Sequence, residues 1–470
     1  MTDALIASLT EAVGADHILT GEATAPYLTD WRKLVTGSAR AVVRPTDCAQ
    51  VSAVLRACAA HGSPVVPQGG NTGQVAGAVP GDDGRAVVLS LTRLNRVRAI
   101  DLDNDTITVE AGCILQSIQQ AAEAAGRLFP LSLGAEGSCM IGGNLGSNAG
   151  GTTVLRYGNA RELCLGLEVV LADGEVWHGL RGLRKDNSGY DLRDLFIGSE
   201  GTLGIITAAT MKLFPQPAAR CTALAALSSI HNAGRFLTRA RARFHASLTG
   251  FELMSVTCLR LVSTFYPQHH APFARLDDPW YVLLEISDAE SEECAVARLE
   301  AVLVGALEAG EIADVAIAQN MTQARAMWHM RESITLALAA DGKCIKHDVS
   351  LPVSAVPGFV ERTDAALQAA YPGVRNFTFG HLGDGNLHYN VARPADGTDA
   401  QLHAMQPRLS ELVHDAIVEL DGSISAEQGI GRLRTQDLAR YKQPVALRMM
   451  RAVKQALDPH GLLNPGVLLP

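Results

Sequence analysis

Along the chain the spacing of apolar positions switches between a period near 3.6 and a period of two, and the switches divide it into blocks. MTDALIASLTEAVG at the start reads as an amphipathic helix. RAVVRPTDCAQVSAVLRACAAHG then gives a short strand, a helix start at Thr46 and Asp47, apolar residues at helical spacing and a stop at Gly62. AVVLSL, TITVEAG and LGLEVVLADGEVW are strand-like, the last with Ala172-Asp173-Gly174 as a hairpin turn. Up to about residue 215 the chain is therefore mixed and crowded with glycine turns, and this stretch closes at Pro215 and Pro217.

From about 221 to 425 the character changes. Apolar strands such as YVLLEI alternate with the longer helices EECAVARLEAVLVGALEAG and SAVPGFVERTDAALQAAY, which predicts an antiparallel sheet backed by helices. The last stretch holds one more helix, PVALRMMRAVKQALD, followed by PHGLLNPGVLLP. The expected organisation is α+β: a first domain over 1–220, a second over 221–425, and a C-terminal segment, 426–470, that returns to the first. No fixed-period repeat is visible.

Composition narrows the classes. A chain of 470 residues is too long for one ordinary core, and 47% hydrophobic with 19% charged residues excludes a disordered protein. A net charge of −9 without any Lys/Arg-rich block argues against nucleic acid or an anionic membrane as partner. No apolar run reaches the ~20 residues that cross a bilayer. The nine cysteines are scattered and form no CxxC pair, which points to reduced thiols inside a cell. The first residues lack the basic start and apolar centre of a signal peptide, so the expectation is a soluble, cytoplasmic protein.

Three glycine-rich segments carry the first chemistry: Pro67-Gln68-Gly69-Gly70-Asn71-Thr72-Gly73, the run from Gly134 to Gly151, and Ile197 to Thr207 (IGSEGTLGIIT). Each is expected to follow a strand. Glycine lets backbone N–H groups approach a pyrophosphate closely. The chain has no GxGxxG opening a helix, GxxxxGK[ST], HExxH or GxSxG, which disfavours Rossmann dehydrogenases, P-loop NTPases, zincins and serine hydrolases.

PxGGNTG, GSCxIGGNxxSNAGG and IGSEGTLGIIT resemble the FAD-binding motifs of the PCMH-type flavoproteins of the vanillyl-alcohol-oxidase superfamily. The resemblance implies a two-subdomain FAD-binding domain plus a cap domain with an antiparallel sheet and helices. It implies that residues 68–73 wrap the pyrophosphate, and that Ser138, Ile141, Gly142, Asn144, Ser147 and Gly151 surround the flavin. Pro130, Gly134, Glu200 and Gly204 belong to the same expected cofactor set, with Ile205 and Ile206 supporting the ring. Asn464 is similar to the family's C-terminal flavin contact, whereas Val467 stands where the pattern usually has lysine. No histidine lies inside the three motifs and the nearest to the first is His61, so non-covalent FAD is expected.

The second chemical cluster is Phe379-Gly-His381-Leu-Gly-Asp-Gly-Asn-Leu-His388-Tyr-Asn390, with Ser425-Ala-Glu427-Gln428-Gly429 further on. GDGN is a tight turn, so His381 and His388 flank a hairpin, and His388 and Asn390 share one strand face. Two imidazoles and a carboxylate suit a divalent cation with open positions. These segments resemble the branch of D-2-hydroxyglutarate, D-lactate and glycolate dehydrogenases. That resemblance implies His381, His388 and Glu427 as ligands of zinc or manganese and Asn390 as a substrate contact. Arg331 and Thr335, at i and i+4 of one helix face, and Lys346 would hold the distal carboxylate of the substrate.

One position departs from the pattern. Gln428 stands where the family usually has a histidine, a candidate general base, and glutamine cannot accept a proton. Either His381, His388 or a lowered hydroxyl pKa takes over that task, or turnover is impaired. The implied activity is metal-assisted oxidation of a D-2-hydroxy acid, D-2-hydroxyglutarate first, by hydride transfer to flavin N5. D-lactate, D-malate and glycolate oxidation, or a silent flavoprotein, are the alternatives; a flavin-free metal hydrolase is the rival from another class. A quinone or an electron-transfer flavoprotein would reoxidise the flavin, and the resemblance is compatible with a homodimer.

Overall fold

The computed structural model describes residues 3–469, which fall into two compact units. One runs to Gly150, resumes over Gly158–Gln216 and takes in the chain from Glu427 on; the other comprises Gly151–Tyr157 and Pro217–Ala426.

Two larger sheets and the two-stranded pair of Arg127–Leu128 with Phe214–Pro215 build the first unit. Ile18–Leu19, Ala41–Val43, Val87–Ser90 and Val65–Gln68 lie in that spatial order, the last three parallel. Ala41–Val43 and Val87–Ser90 are fully buried and apolar except for Ser90, as parallel strands covered on both faces are. Helix Cys48–Ala60 starts where the Asp47 carboxylate accepts the Gln50 amide at 2.8 Å. The second sheet is antiparallel, in the order Val97–Asp101, Thr106–Glu110, Ile205–Lys212, Cys164–Val170 and Val176–Gly179. The C-terminal segment joins this unit through Val65, whose amide donates to the Leu462 carbonyl and whose carbonyl accepts the Asn464 amide, both at 2.8 Å.

The second unit is a seven-stranded sheet, antiparallel throughout. Its order is Asp314–Ile317, Ala219–Leu227, Trp280–Asp288, Leu248–Ser255, Arg375–His381, Asn386–Ala392 and Cys344–Ser350. Alternation sorts its side chains to two faces. Phe251, Leu253, Leu387, Tyr389 and Val391 pack with helices Ile230–Phe244, Glu292–Glu308, Val356–Ala370 and Asp399–Val418. Met254, Phe377 and Phe379 pack on the opposite face with helices Val256–Phe265 and Met321–Asp341. Among the described residues no helix is long and apolar enough to cross a membrane.

One local expectation is corrected. The third glycine segment does not follow a strand: it leaves the short helix Arg193–Phe196 and runs into strand Ile205–Lys212. The charged residues that precede it mask a helical turn in which only Phe196 is buried.

Candidate active site

In the first unit the glycine loops enclose a cleft. Gly69 to Gly73, with Gln68 and Pro67, line one wall, and Gly142, Asn144 and Ser147 line another. Glu200, Gly204, Ile205 and Ile206 form a third, and Gln428 reaches the same cleft. Val75, Gly77, Ala78 and Leu91 also line it, and no motif marked them in the sequence; Met140 and Ser199 line it from within the second and third segments.

The loop is shaped for an anion. Among the described residues no amide from Gly69 to Gly73 meets a protein acceptor. Asn71 holds φ +51°, a left-handed conformation that asparagine tolerates, with Nδ2 donating to the Thr29 carbonyl at 2.9 Å. Gly70 passes so close to the second loop that a Cβ would lie 2.0 Å from the Ser138 carbonyl oxygen, hence glycine there. The Gln68 side chain is structural: its amide donates to the carbonyls of Tyr27 (3.0 Å) and Ala78 (2.8 Å). Asn144 Oδ1 and Asn464 Oδ1 are buried without a protein hydrogen-bond partner, the state of acceptors that await a donor. Unsatisfied amides, orphaned acceptors and an apolar wall of Ile205 and Ile206 fit a dinucleotide carrying a flat ring.

Six expected cofactor residues lie outside the cleft lining. Pro130 and Ile141 are buried, Gly134 and Ser138 are exposed, and Gly151 falls in the second unit. Asn464 braces the cleft from behind, its Nδ2 donating at 2.8 Å to the carbonyls of Gly77 and Glu200. Glu200 lines the cleft but spends its carboxylate on the chain itself, accepting the amides of Ile430 and Gly431 at 2.8 Å each. Burial raises its pKa against those two bonds.

In the second unit the strand registers bring the other candidates to one sheet face. Phe379 pairs with His388, Phe377 and Lys346 with Asn390, Asp348 with His388, and Glu252 with His381. Residues opposite one another in a ladder share a face. This is the face covered by helix Met321–Asp341, which carries Arg331 and, one turn on, the half-buried Thr335. The imidazoles of His381 and His388 stand 5.4 Å apart, centroid to centroid, at 81°. A ligand atom of Glu427, the residue after Ala426, lies within 4.8 Å of one from each imidazole. Ala426 is itself fixed locally, its amide donating to the Asp348 carbonyl at 3.2 Å.

The sequence reading missed Glu252. This buried carboxylate accepts from Arg331 through one oxygen (Nη2 2.7 Å, Nε 3.0 Å) and from His381 Nδ1 through the other, at 2.7 Å. Arg331 also stacks 4.8 Å over the Phe379 ring. Burial would raise the Glu252 pKa, but the His381 and Arg331 charges outweigh it and hold the carboxyl at about 2. Burial pushes His388 down to about 3 against the opposing pull of Asp348, and burial raises Asp384 in the hairpin turn. The signal in the sequence was one acid inside an otherwise uncharged strand, LTGFELMS, which needs a buried cationic partner.

Comparison with known proteins decides the family. The family of FAD linked oxidases, C-terminal domain, matches residues 216–468, more than half of the chain, and an FAD binding domain family matches residues 39–179. The chain belongs to the FAD-linked oxidases. Within them it lies on the branch of the D-2-hydroxyglutarate dehydrogenases: it is 40% identical to the one from Xanthomonas citri pv. viticola, over 100% of this chain and 97% of that protein. The mitochondrial D-2-hydroxyglutarate dehydrogenase of Bos taurus is 38% identical over 99% of this chain and 83% of its own. The crystal structure of p-cresol methylhydroxylase with substrate bound shares the fold, with a TM-score of 0.79 at 16% identity over 98% of this chain and 95% of that one. The chain is thus an FAD-dependent oxidoreductase with a PCMH-type fold.

Proposed function

We propose that this FAD-linked oxidase is a D-2-hydroxy-acid dehydrogenase with D-2-hydroxyglutarate as preferred substrate. It holds FAD without a covalent bond, and a divalent cation, zinc or manganese, at His381, His388 and Glu427. The observation that carries the substrate is the guanidinium of Arg331. Its Nε and Nη2 are fixed by Glu252, while Nη1 has no protein acceptor among the described residues and is not sealed from solvent. Lys346 and Asn390 stand opposite each other on the same sheet face. A guanidinium and an ammonium beyond the imidazole pair suit a second carboxylate, an acceptor that a methyl group does not supply.

FAD in the cleft supplies the two-electron acceptor, and a cation at the two imidazoles and Glu427 supplies the charge that acidifies a bound hydroxyl. The chain does the positioning. Amides Gly69–Gly73 grip the pyrophosphate, Arg331, Thr335 and Lys346 take the distal carboxylate, and Asn390, whose Nδ2 donates to the carbonyls of Phe377 and His388, contacts the reacting end. His388, neutral at physiological pH, keeps a lone pair for a ligand. Oxidation at C2 yields the 2-oxo acid, and reoxidation requires an external two-electron acceptor such as a quinone or an electron-transfer flavoprotein.

The test is anaerobic mixing with D- and L-2-hydroxy acids while the flavin absorbance is followed. D-2-hydroxyglutarate should bleach it fastest, D-malate and then D-lactate more slowly, and the L-isomers not at all. Chelator-treated protein should keep its FAD and lose the reaction until Zn2+ or Mn2+ is returned. Equal rates with D-lactate would remove the diacid assignment, full rates without metal would remove the cation, and no bleaching with any acid would mean a silent flavoprotein.

A further inference from the structure

The Glu252 carboxylate touches two expected functional groups, belongs to neither set, and is buried to 1% exposure. Its geometry has a chemical consequence. A neutral imidazole that donates from Nδ1 to a carboxylate carries its one proton there, and its lone pair is then on Nε2. The contact between His381 Nδ1 and Glu252 Oε1 is 2.7 Å, and Arg331 occupies Oε2, so the carboxylate is held at both ends and cannot rotate away. The neighbouring histidine repeats the arrangement more loosely, with Asp348 Oδ1 3.6 Å from His388 Nδ1 and itself fixed by Asn386 Nδ2 at 2.9 Å. Both imidazoles of the hairpin therefore back their Nδ1 onto a buried acid.

We propose that Glu252 is a positioning residue that selects the Nδ1–H tautomer of His381 and so presents Nε2 to the divalent cation. This rests on the cation reading given above and adds to it the atom that binds and the residue that dictates it. Glu252→Gln is the informative change, because an amide has one acceptor and one donor end. With its oxygen on Arg331, the NH2 faces Nδ1 and forces the opposite tautomer, with a proton on Nε2. With the amide turned round, its NH2 faces the guanidinium, donor against donor. One of the two contacts is lost either way.

The FAD-loaded protein is stripped with chelator and titrated with Zn2+ against a competing chelator, as wild type, Glu252→Gln and Glu252→Asp. Glu252→Gln should bind Zn2+ about 10–100-fold more weakly than wild type at unchanged flavin content. Glu252→Asp, which keeps the carboxylate, should recover part of that loss. Wild type that binds Zn2+ tightly with Glu252→Gln within twofold of it overturns this inference alone. Wild type that binds no Zn2+ overturns the cation reading and this inference with it. Should Glu252→Gln lose its flavin or fail to fold, the wild type still decides through its histidine nitrogen resonances, with His381 assigned by its loss in His381→Gln. A protonated Nδ1 that stays protonated while Nε2 shifts on adding Zn2+ is the expected result; Zn2+ at Nδ1, or an Nε2–H tautomer before it is added, overturns the proposal.

Discussion

Arg331→Ala tests whether the arginine proposed to hold the substrate is also a structural cation. The Arg331 side chain is 8% exposed and that of Glu252 1%, with Nη2 and Oε2 2.7 Å apart. At that distance and an effective dielectric of about 20 the attraction amounts to roughly 6 kcal/mol. Removing the guanidinium leaves the desolvated carboxylate with His381 as its one remaining charged partner, and His381 recovers some of the loss by holding a proton. A net cost of ~3–5 kcal/mol is therefore expected, the range for breaking a buried pair from one side. At about 2–4 °C per kcal/mol for a unit of this size, melting of the second unit should fall by roughly 6–20 °C. Far-UV circular dichroism and flavin fluorescence should be followed separately, since a two-unit protein need not unfold in one step.

The control is Glu252→Gln combined with Arg331→Met, which takes both charges out of the interior and should restore most of the lost stability. The pH dependence gives an independent sign. Glu252 sits at about 2 in the folded chain against an ordinary value of 4.5, so its contribution is complete above pH 4.5 and is lost as pH falls toward 2. A melting temperature within about 2 °C of wild type in Arg331→Ala would show that the pair contributes little. A double variant no more stable than Arg331→Ala would place the cost in packing over Phe379 rather than in charge.

Two further outcomes follow from the same geometry. In chelator-stripped protein His388 sits at about 3 against an ordinary 6.5, so the unfolded chain takes up the proton first. Stability should then drop as pH falls from 6.5 toward 3, by up to ~1.4 kcal/mol per pH unit, and His388→Gln should flatten that slope; an unchanged slope refutes the assignment. Gln428→His, at the flavin cleft, should raise the rate of flavin reduction as pH rises through about 6.5, with ~10²–10⁴-fold as the ceiling for general-base assistance. An identical pH profile would make Gln428 a spectator.

What could be read from the sequence was what depends on local spacing. The hairpin of His381 and His388 follows from a GDGN turn between two alternating runs, and the helix Met321–Asp341 puts Arg331 and Thr335 one turn apart. The anion loop at Gly69–Gly73 shows itself by composition. Glu252 did not, because its meaning depends on partners 79 and 129 residues away that only the folded sheet assembles. Ser138 belongs to a motif yet faces solvent, its carbonyl serving as the surface against which Gly70 packs. Motif membership reports that a segment is shaped for a cofactor; it does not report which atoms of the segment point toward it.

The same distinction bears on Gln428. Within its own unit its segment is tied down by the amides of Ile430 and Gly431, which donate to Glu200. Gly429, at φ +81°, admits no larger residue, because a Cβ there would lie 2.9 Å from Glu200 Oε1. His388 at about 3 is a poor proton acceptor at neutral pH, and the Nδ1 of His381 is engaged by Glu252. On the proposed reading, with a glutamine at 428 and His381 Nε2 committed to the cation, none of these groups is left as a base for a substrate hydroxyl. On that reading turnover comes from making the hydroxyl more acidic, and the rate should follow the charge of the cation added at His381, His388 and Glu427 more steeply than in a variant with Gln428→His.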